Sequence, residues 1–292
     1  MSHSSIQQGS QRRGDFYALL LSVLEGVFPV LTLVTVAALG ALHAYFYTIV
    51  VATVALSLLL WRRGSWHELF NRAARRDLLL TSLFISTLFV LIFLSLRYTS
   101  AGHVAVILVL QLFFSWLYFN AIGGEPMSLR HTVGAAAMGL GAVVILFPED
   151  LRINPGDWLA LVAAAIAPVA NHFQQRARRR VSSLAVLTFR NVVALPVLGV
   201  LAWWLEPPAV PWSDPVVFGW LLCNALLIFV LAKILWVEAL HHISVTRLSA
   251  MASFIPVFTV GFAWLLLGEW PGMRQLLGML PVVAGAWLMT RR

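Results

Sequence analysis

Long apolar runs alternate with short polar breaks along almost the whole chain. A helix that crosses the ~30 Å hydrocarbon core of a bilayer needs about 20 mostly apolar residues. Parsed on that length, the pattern predicts ten spans, near 16–38, 41–60, 78–96, 101–121, 131–147, 157–175, 184–205, 216–238, 246–267 and 272–290. The least marked boundary lies near Gly40, where two spans meet with almost no loop. The connections are short throughout, which leaves no room for a soluble domain.

The pattern also repeats. Residues 123–142 read "GGEPMSLRHTVGAAAMGLGA" and residues 267–286 read "LGEWPGMRQLLGMLPVVAGA". A shift of 144 positions carries Gly124 to Gly268, Glu125 to Glu269, Arg130 to Arg274, Gly134 to Gly278, Gly141 to Gly285 and Ala142 to Ala286. Upstream, it carries Ser100 to Ser244 and Phe114 to Phe258. Coincidences at one fixed, ungapped offset mark an internal duplication. Each half holds five spans, an odd number, so the second half enters the membrane inverted. The fold class expected is therefore an all-α integral membrane protein of ten transmembrane helices in two inverted five-helix repeats, 16–147 and 157–290. Such repeats are typical of secondary transporters, whose substrate site lies near the midplane between the halves. The Gly-Glu pair reads as the corner between spans 4 and 5, reused between spans 9 and 10.

Composition agrees. The chain of 292 residues is 60% hydrophobic and 11% charged, whereas charged residues make up about a quarter of a soluble domain. Only a polytopic membrane protein fits that balance. The single cysteine, Cys223, excludes an intramolecular disulfide and any multi-cysteine metal site. The net charge of +8 and the run "RARRR" at 176–180 superficially suggest nucleic acid, but they fit an arginine-rich cytoplasmic loop. With the termini inside, fifteen arginines fall in cytoplasmic segments and three outside, a bias that orients the chain. Residues 1–15 are polar, lack a signal-peptide core, and read as a disordered cytoplasmic tail. The expected location is a bacterial inner membrane.

At this point the residues resemble a known family. The stretches "LSLRYTSAGHVAVILVLQLFFSWLYFNAIGGEPMSLRHTVG" and "EALHHISVTRLSAMASFIPVFTVGFAWLLLGEWPGMRQLLG" are similar to the two EamA repeats of the drug/metabolite transporter superfamily. Shared are a small-residue helix start, an apolar span, "lGE" and a glycine some nine residues on; Pro256 in "FIPVFTV" makes the second copy the closer match. The resemblance implies a ten-helix carrier of small molecules. The family often carries an arginine in the second helix of each repeat. Arg190 in "LTFRNV" fits this, whereas the first repeat reads "YFYTIV", and the first helix reads "SVLEGVFPV" in place of the usual Trp-Gly.

Polar groups at membrane depth are costly, so each is a candidate for function. Glu25 lies about nine residues into span 1, roughly 14 Å deep, with no basic residue within one turn. Its functional roles would be proton coupling or recognition of a substrate cation; the alternative is a glutamate satisfied by a neighbouring helix. Lys233 is the only lysine against nineteen arginines. It can lose its proton when buried, but about five residues from the end of its span it can also snorkel or pair with Glu238. Arg190 carries the same ambiguity. Gln111 and Asn224 are neutral polar groups at midplane depth, able to bind a ligand or to tie helices together. Gln111 is the stronger, because its counterpart in the second repeat precedes Pro256. Asn171 and His172 follow Pro168 nearer the cytoplasmic side, and His103 belongs at the outer mouth. Among aromatics that include Phe28, Tyr45, Trp236 and Phe113, only Trp116 and Trp264 are kept as cavity candidates. Gly134, Ala137 and Gly141, with Gly278 and Gly285, read as a close-packing face inside the bundle or between two copies; the chain is read as a monomer or homodimer.

These readings converge on a secondary transporter of a small polar or zwitterionic metabolite, such as an amino acid, working by alternating access and open to proton coupling. Its partners are that substrate and membrane lipids, not nucleic acid. The alternatives are a lipid translocator, a passive channel and, less well supported, an intramembrane enzyme. His241 and His242 are adjacent, so they cannot share a helix face, and no nucleophile has an evident base. No G-x-x-x-x-G-K-[ST] occurs, so energy must come from a gradient and not from ATP. No cofactor or metal is implied.

Overall fold

The computed structural model describes residues 3–121, 129–146, 154–252, 255–270 and 272–290. Every long element in it is a helix. The first half contains α1 (His3–Leu39), α2 (Ala41–Arg62), α3 (Arg75–Ser95), a pass broken into α4 (Ala101–Val109) and α5 (Gln111–Ala121), and α6 (Leu129–Leu146). The second contains α7 (Pro155–Arg178), α8 (Ser183–Leu205), a pass built from α9 (Pro215–Cys223), a π-helical stretch Asn224–Ala232 and α10 (Lys233–His242), then α11 (Val245–Ala252) with α12 (Ile255–Leu267), and α13 (Met273–Thr290). Six of these passes are long and apolar enough to cross a membrane, and shorter apolar helices lie at Thr132–Gly141, Ile255–Leu267 and Leu276–Gly285.

The polar N-terminal stretch is not a separate tail, because α1 starts at His3. Gly9 and Gly14 each cost about 1 kcal/mol in helix propensity, and Asp15 anchors this end through two hydrogen bonds from Arg247, at 2.9 and 2.8 Å. The faint boundary at Gly40 is a real corner. Gly40 adopts φ 82°, a conformation open to glycine, and the Glu206 carboxylate accepts hydrogen bonds from the amides of Ala41, Leu42 and His43. An anion at a helix N-terminus satisfies amides that the helix leaves unpaired. The repeated Gly-Glu motif has a similar explanation where it is described. Gly268, at φ 69°, caps α12 by donating to the Trp264 carbonyl at 3.1 Å, the left-handed helix ending that glycine favours. Gly124 and Glu125 lie outside the described residues.

The halves pack with an internal pseudo-two-fold. α1 packs on α12 as α7 packs on α5, and α1 on α11 as α7 on α4. The glycine faces make the relation visible. A Cβ on Gly141 would stand 2.5 Å from the Gly278 carbonyl oxygen, and one on Gly285 would stand 2.4 Å from that of Gly134. These are equivalent contacts, related by the same 144-residue shift. The small-residue stripe of α6 is therefore covered by α13 of the same chain, and these glycines do not present a face to a second copy.

Candidate functional site

Between the halves lies a cavity of about 100 Å³. It straddles the pseudo-axis, since matched positions Phe89 and Lys233, Ile92 and Trp236, Leu108 and Ala252, and Gln111 and Ile255 all line it. Matched positions line both walls, but charge is placed asymmetrically: where one repeat offers Phe89, the other offers Lys233.

Glu25 enters the cavity from the middle of α1, one turn before Pro29, which also lines it. Proline has no N–H to give the carbonyl four residues back, so the Glu25 carbonyl lacks its usual partner within the helix. Facing Glu25 is Lys233, with Nζ 2.5 Å from Oε1. Both are buried, at 7% and 8% exposure. Glu238, the partner considered for Lys233 from sequence, is held instead by Arg178 at 3.0 Å and by the Ser183 hydroxyl at 2.6 Å. Nor does Lys233 snorkel. The helical pass continues to His242, so the residue lies about 14 Å from that end at 1.5 Å per residue, too deep for its stem to reach the surface. Immediately before it, the π-helical stretch shifts the register of the pass; such segments concentrate at functional sites.

Lys233 is ringed by aromatic groups. Its Nζ stands 5.0 Å from the centre of Phe89, 5.4 Å from Phe28, 5.9 Å from Trp236 and 6.0 Å from Phe229. The indole N–H of Trp236 donates to Asn171 Oδ1 at 3.0 Å, which fixes that ring.

Arg190 reaches the same cavity from α8 and is 3% exposed. Its guanidinium donates to Gln174 Oε1 at 3.3 Å and to Asn191 Oδ1 at 3.4 Å, and it lies 6.0 Å from the Phe89 ring centre. Among the described residues no carboxylate lies within ion-pair distance of it. The cavity thus carries one carboxylate and two cationic groups.

Gln111 also lines the cavity, where the chain resumes as α5 after a turn at Leu110. In the second repeat α11 ends at Ala252 and α12 starts at Ile255, with Pro256 in its first turn; residues 253 and 254 lie outside the described set. Asn224 is elsewhere, tying α1 by donating to Thr32 Oγ1 at 3.1 Å. Trp116 stacks on Phe113 beside Met138 and Val282, off the cavity wall. Trp264 is 47% exposed against Trp270 on the outer surface. Asn171 and Gln174, which carried little or no weight from sequence, both face the site. The proline at 168 ahead of this polar run in α7 was the one local hint.

The two ends of the bundle differ. At the end carrying the described start of α1, the Asp15–Arg247 pair is joined by the Arg178–Glu238 pair and by Arg176 and Arg180 against Asp77. Gln175 Nε2 adds hydrogen bonds to the carbonyls of Leu240 and Ile243 at 2.8 and 3.1 Å. The opposite end opens into a vestibule of about 1010 Å³ lined in part by Arg97, His103, Asp157, Glu206 and Glu269. There His103 stands where Arg247 stands in the other repeat. Both amides are capped by a serine three residues earlier, Ser100 and Ser244, and both side chains face an aspartate, at 3.7 Å to Asp157 and 2.8 Å to Asp15.

Comparisons with known proteins agree with this architecture. A curated relative, described as a probable terminal-alkyne amino-acid exporter of Streptantibioticus cattleyicolor, is 25% identical over 197 residues, 66% of this chain and 65% of its own length. A solved crystal structure, described only as that of a protein, superposes with a TM-score of 0.73 over 95% of this chain and 97% of that one, at 16% identity, a likeness of fold alone. The model of the EamA-like transporter family matches residues 12–147 and 154–291. Two copies of that pattern, one per half, cover nearly the whole molecule, and the chain belongs to the EamA-like transporter family.

Proposed function

We propose that this protein moves a small amino acid, or a close zwitterionic relative, across the bacterial inner membrane by alternating access, with its termini in the cytoplasm. The observation that carries the reading is Arg190, a buried guanidinium at the cavity with no carboxylate partner among the described residues. Burying an uncompensated charge is costly, and a guanidinium pairs well with a carboxylate through two parallel hydrogen bonds. A cargo carboxylate supplies the missing charge. The rest of the wall is largely aliphatic, with Ile85, Leu88, Leu108 and Ile255, which suits an apolar side chain. The exporter description of the curated relative supports outward movement of an amino acid of that kind. The vestibule opens at the end opposite the described start of α1, the side that this orientation makes extracellular. Glu25 is the group through which a proton gradient would act, since protonation removes the charge that holds Lys233.

The test is counterflow in proteoliposomes with labelled L-norvaline, an unbranched apolar amino acid. Uptake should saturate, unlabelled norvaline should compete, and norvalinamide, which lacks the carboxylate, should not. Arg190→Gln should abolish counterflow while the protein remains monodisperse. Equal competition by the amide, or full activity in the Arg190 variant, would overturn the assignment.

A further inference from the structure

We propose that Lys233 holds the place of the cargo's own ammonium group, and that an amino acid binds by displacing it from Glu25. The proposal rests on the amino-acid reading above and specifies how the cavity recognises the second charge of the zwitterion. A carboxylate backed by several aromatic faces is the composition that binds an alkylammonium. Here that composition exists, complete, around an ammonium that belongs to the protein: Glu25 at 2.5 Å, with the rings of Phe89, Phe28, Trp236 and Phe229 at 5.0 to 6.0 Å. The group is tethered by a flexible four-carbon stem to the first residue after the π-helical stretch, so it can withdraw without moving a backbone segment.

Charge decides why such a stand-in is useful. An empty carrier must change conformation without a cargo, and a bare Glu25 in the bundle interior would be an unpaired buried charge. Lys233 neutralises it in the empty state. On binding, the cargo ammonium replaces one ammonium with another, and the cargo carboxylate meets Arg190 and the released Lys233. The zwitterion is neutral overall, so the cavity carries one cation in excess before and after; once loaded, Arg190 and Lys233 share the cargo carboxylate. Arginine could not perform the exchange, because its planar guanidinium does not share the shape or hydrogen bonding of an alkylammonium. This gives a physical reason for the one lysine in a chain with nineteen arginines. Selectivity follows directly. A carboxylate without an amine leaves Lys233 in the box, and an amine without a carboxylate gains nothing from Arg190.

Because Lys233 is the sole lysine, labelling with 13Cε-lysine places one NMR probe in the site. Its ε-protons lie near four ring faces and should resonate upfield of an ordinary lysine. L-norvaline should move the signal downfield, towards the ordinary position, in a saturable way. Pentanoate, the same molecule without its amine, should leave it in place, and butylamine should bind wild type weakly or not at all. In Lys233→Ala the box is vacant, and butylamine should bind and raise the melting temperature where it does not in wild type. If norvaline raises the melting temperature of wild type yet the lysine signal stays put, the exchange is wrong and the amino-acid reading survives. If pentanoate moves the signal as far as norvaline does, or Lys233→Ala gains no affinity for butylamine, the exchange is also wrong. If none of the three compounds binds wild type, the amino-acid reading itself falls, and the exchange with it.

Discussion

Replacing Glu25 with glutamine tests the centre of the site most directly. The substitution keeps the shape of the side chain and removes its charge, leaving Lys233 about 8% exposed with its ion-pair partner gone. Breaking a buried pair by removing one partner costs about 3–5 kcal/mol, because the remaining charge is uncompensated. For a chain of this size each kcal/mol lowers the melting temperature by a few degrees, so a fall of roughly 10 °C is expected. Glu25→Gln with Lys233→Met should recover most of that loss. Exchanging both partners of a buried pair for uncharged groups is often neutral or stabilising, and a methionine sulfur packs well among aromatic rings. The four proteins form a double-mutant cycle, read by thermal denaturation in detergent and by norvaline counterflow in liposomes. Stability should return in the double variant and counterflow should not, which separates the pair's structural role from its part in binding. The reasoning fails if Glu25→Gln melts with wild type, or if the stable double variant still transports.

Other parts of the fold make further predictions. Gly141→Val and Gly285→Val each force a side chain against a facing backbone carbonyl, at 2.5 and 2.4 Å from the Cβ; both should destabilise by about 1–3 kcal/mol, and by similar amounts, whereas a large difference in melting temperature would contradict the pseudo-two-fold contact. Glu206→Ala removes the acceptor of three amides at the start of α2 and should cost about 1–3 kcal/mol in the same denaturation assay, with no loss if water caps the helix equally well. Asp15→Asn weakens the closure at the end bearing the termini. In a Cys223→Ala background, a cysteine at Ala252 on the cavity wall should then react faster with a maleimide supplied from that side, and an unchanged rate would show that the Asp15–Arg247 pair does not hold that end closed.

The sequence alone was enough for the large-scale architecture, and for a physical reason. Apolar run length is set by bilayer thickness, so the passes could be counted without knowing any contact. The 144-residue offset is a property of the string, and it fixed which positions must face each other across the pseudo-axis. Depth along a span identified Glu25 as buried. Facing direction could not be obtained in the same way. Helices that meet lipid on one side and protein on the other are apolar all round, so periodicity carries little information about which side packs inward. That is why Trp264 could not be separated from Trp236, nor Asn224 from Asn171. The partner of Lys233 was hidden for two further reasons: Glu25 lies 208 residues away, and a π-helical stretch changes the register of the pass just before the lysine. That Arg190 meets no carboxylate among the described residues is a relation among α3, α7 and α8, since Phe89, Gln174 and Asn191 reach it from those helices. Only tertiary packing brings one carboxylate, two cations and an aromatic box to a single cavity.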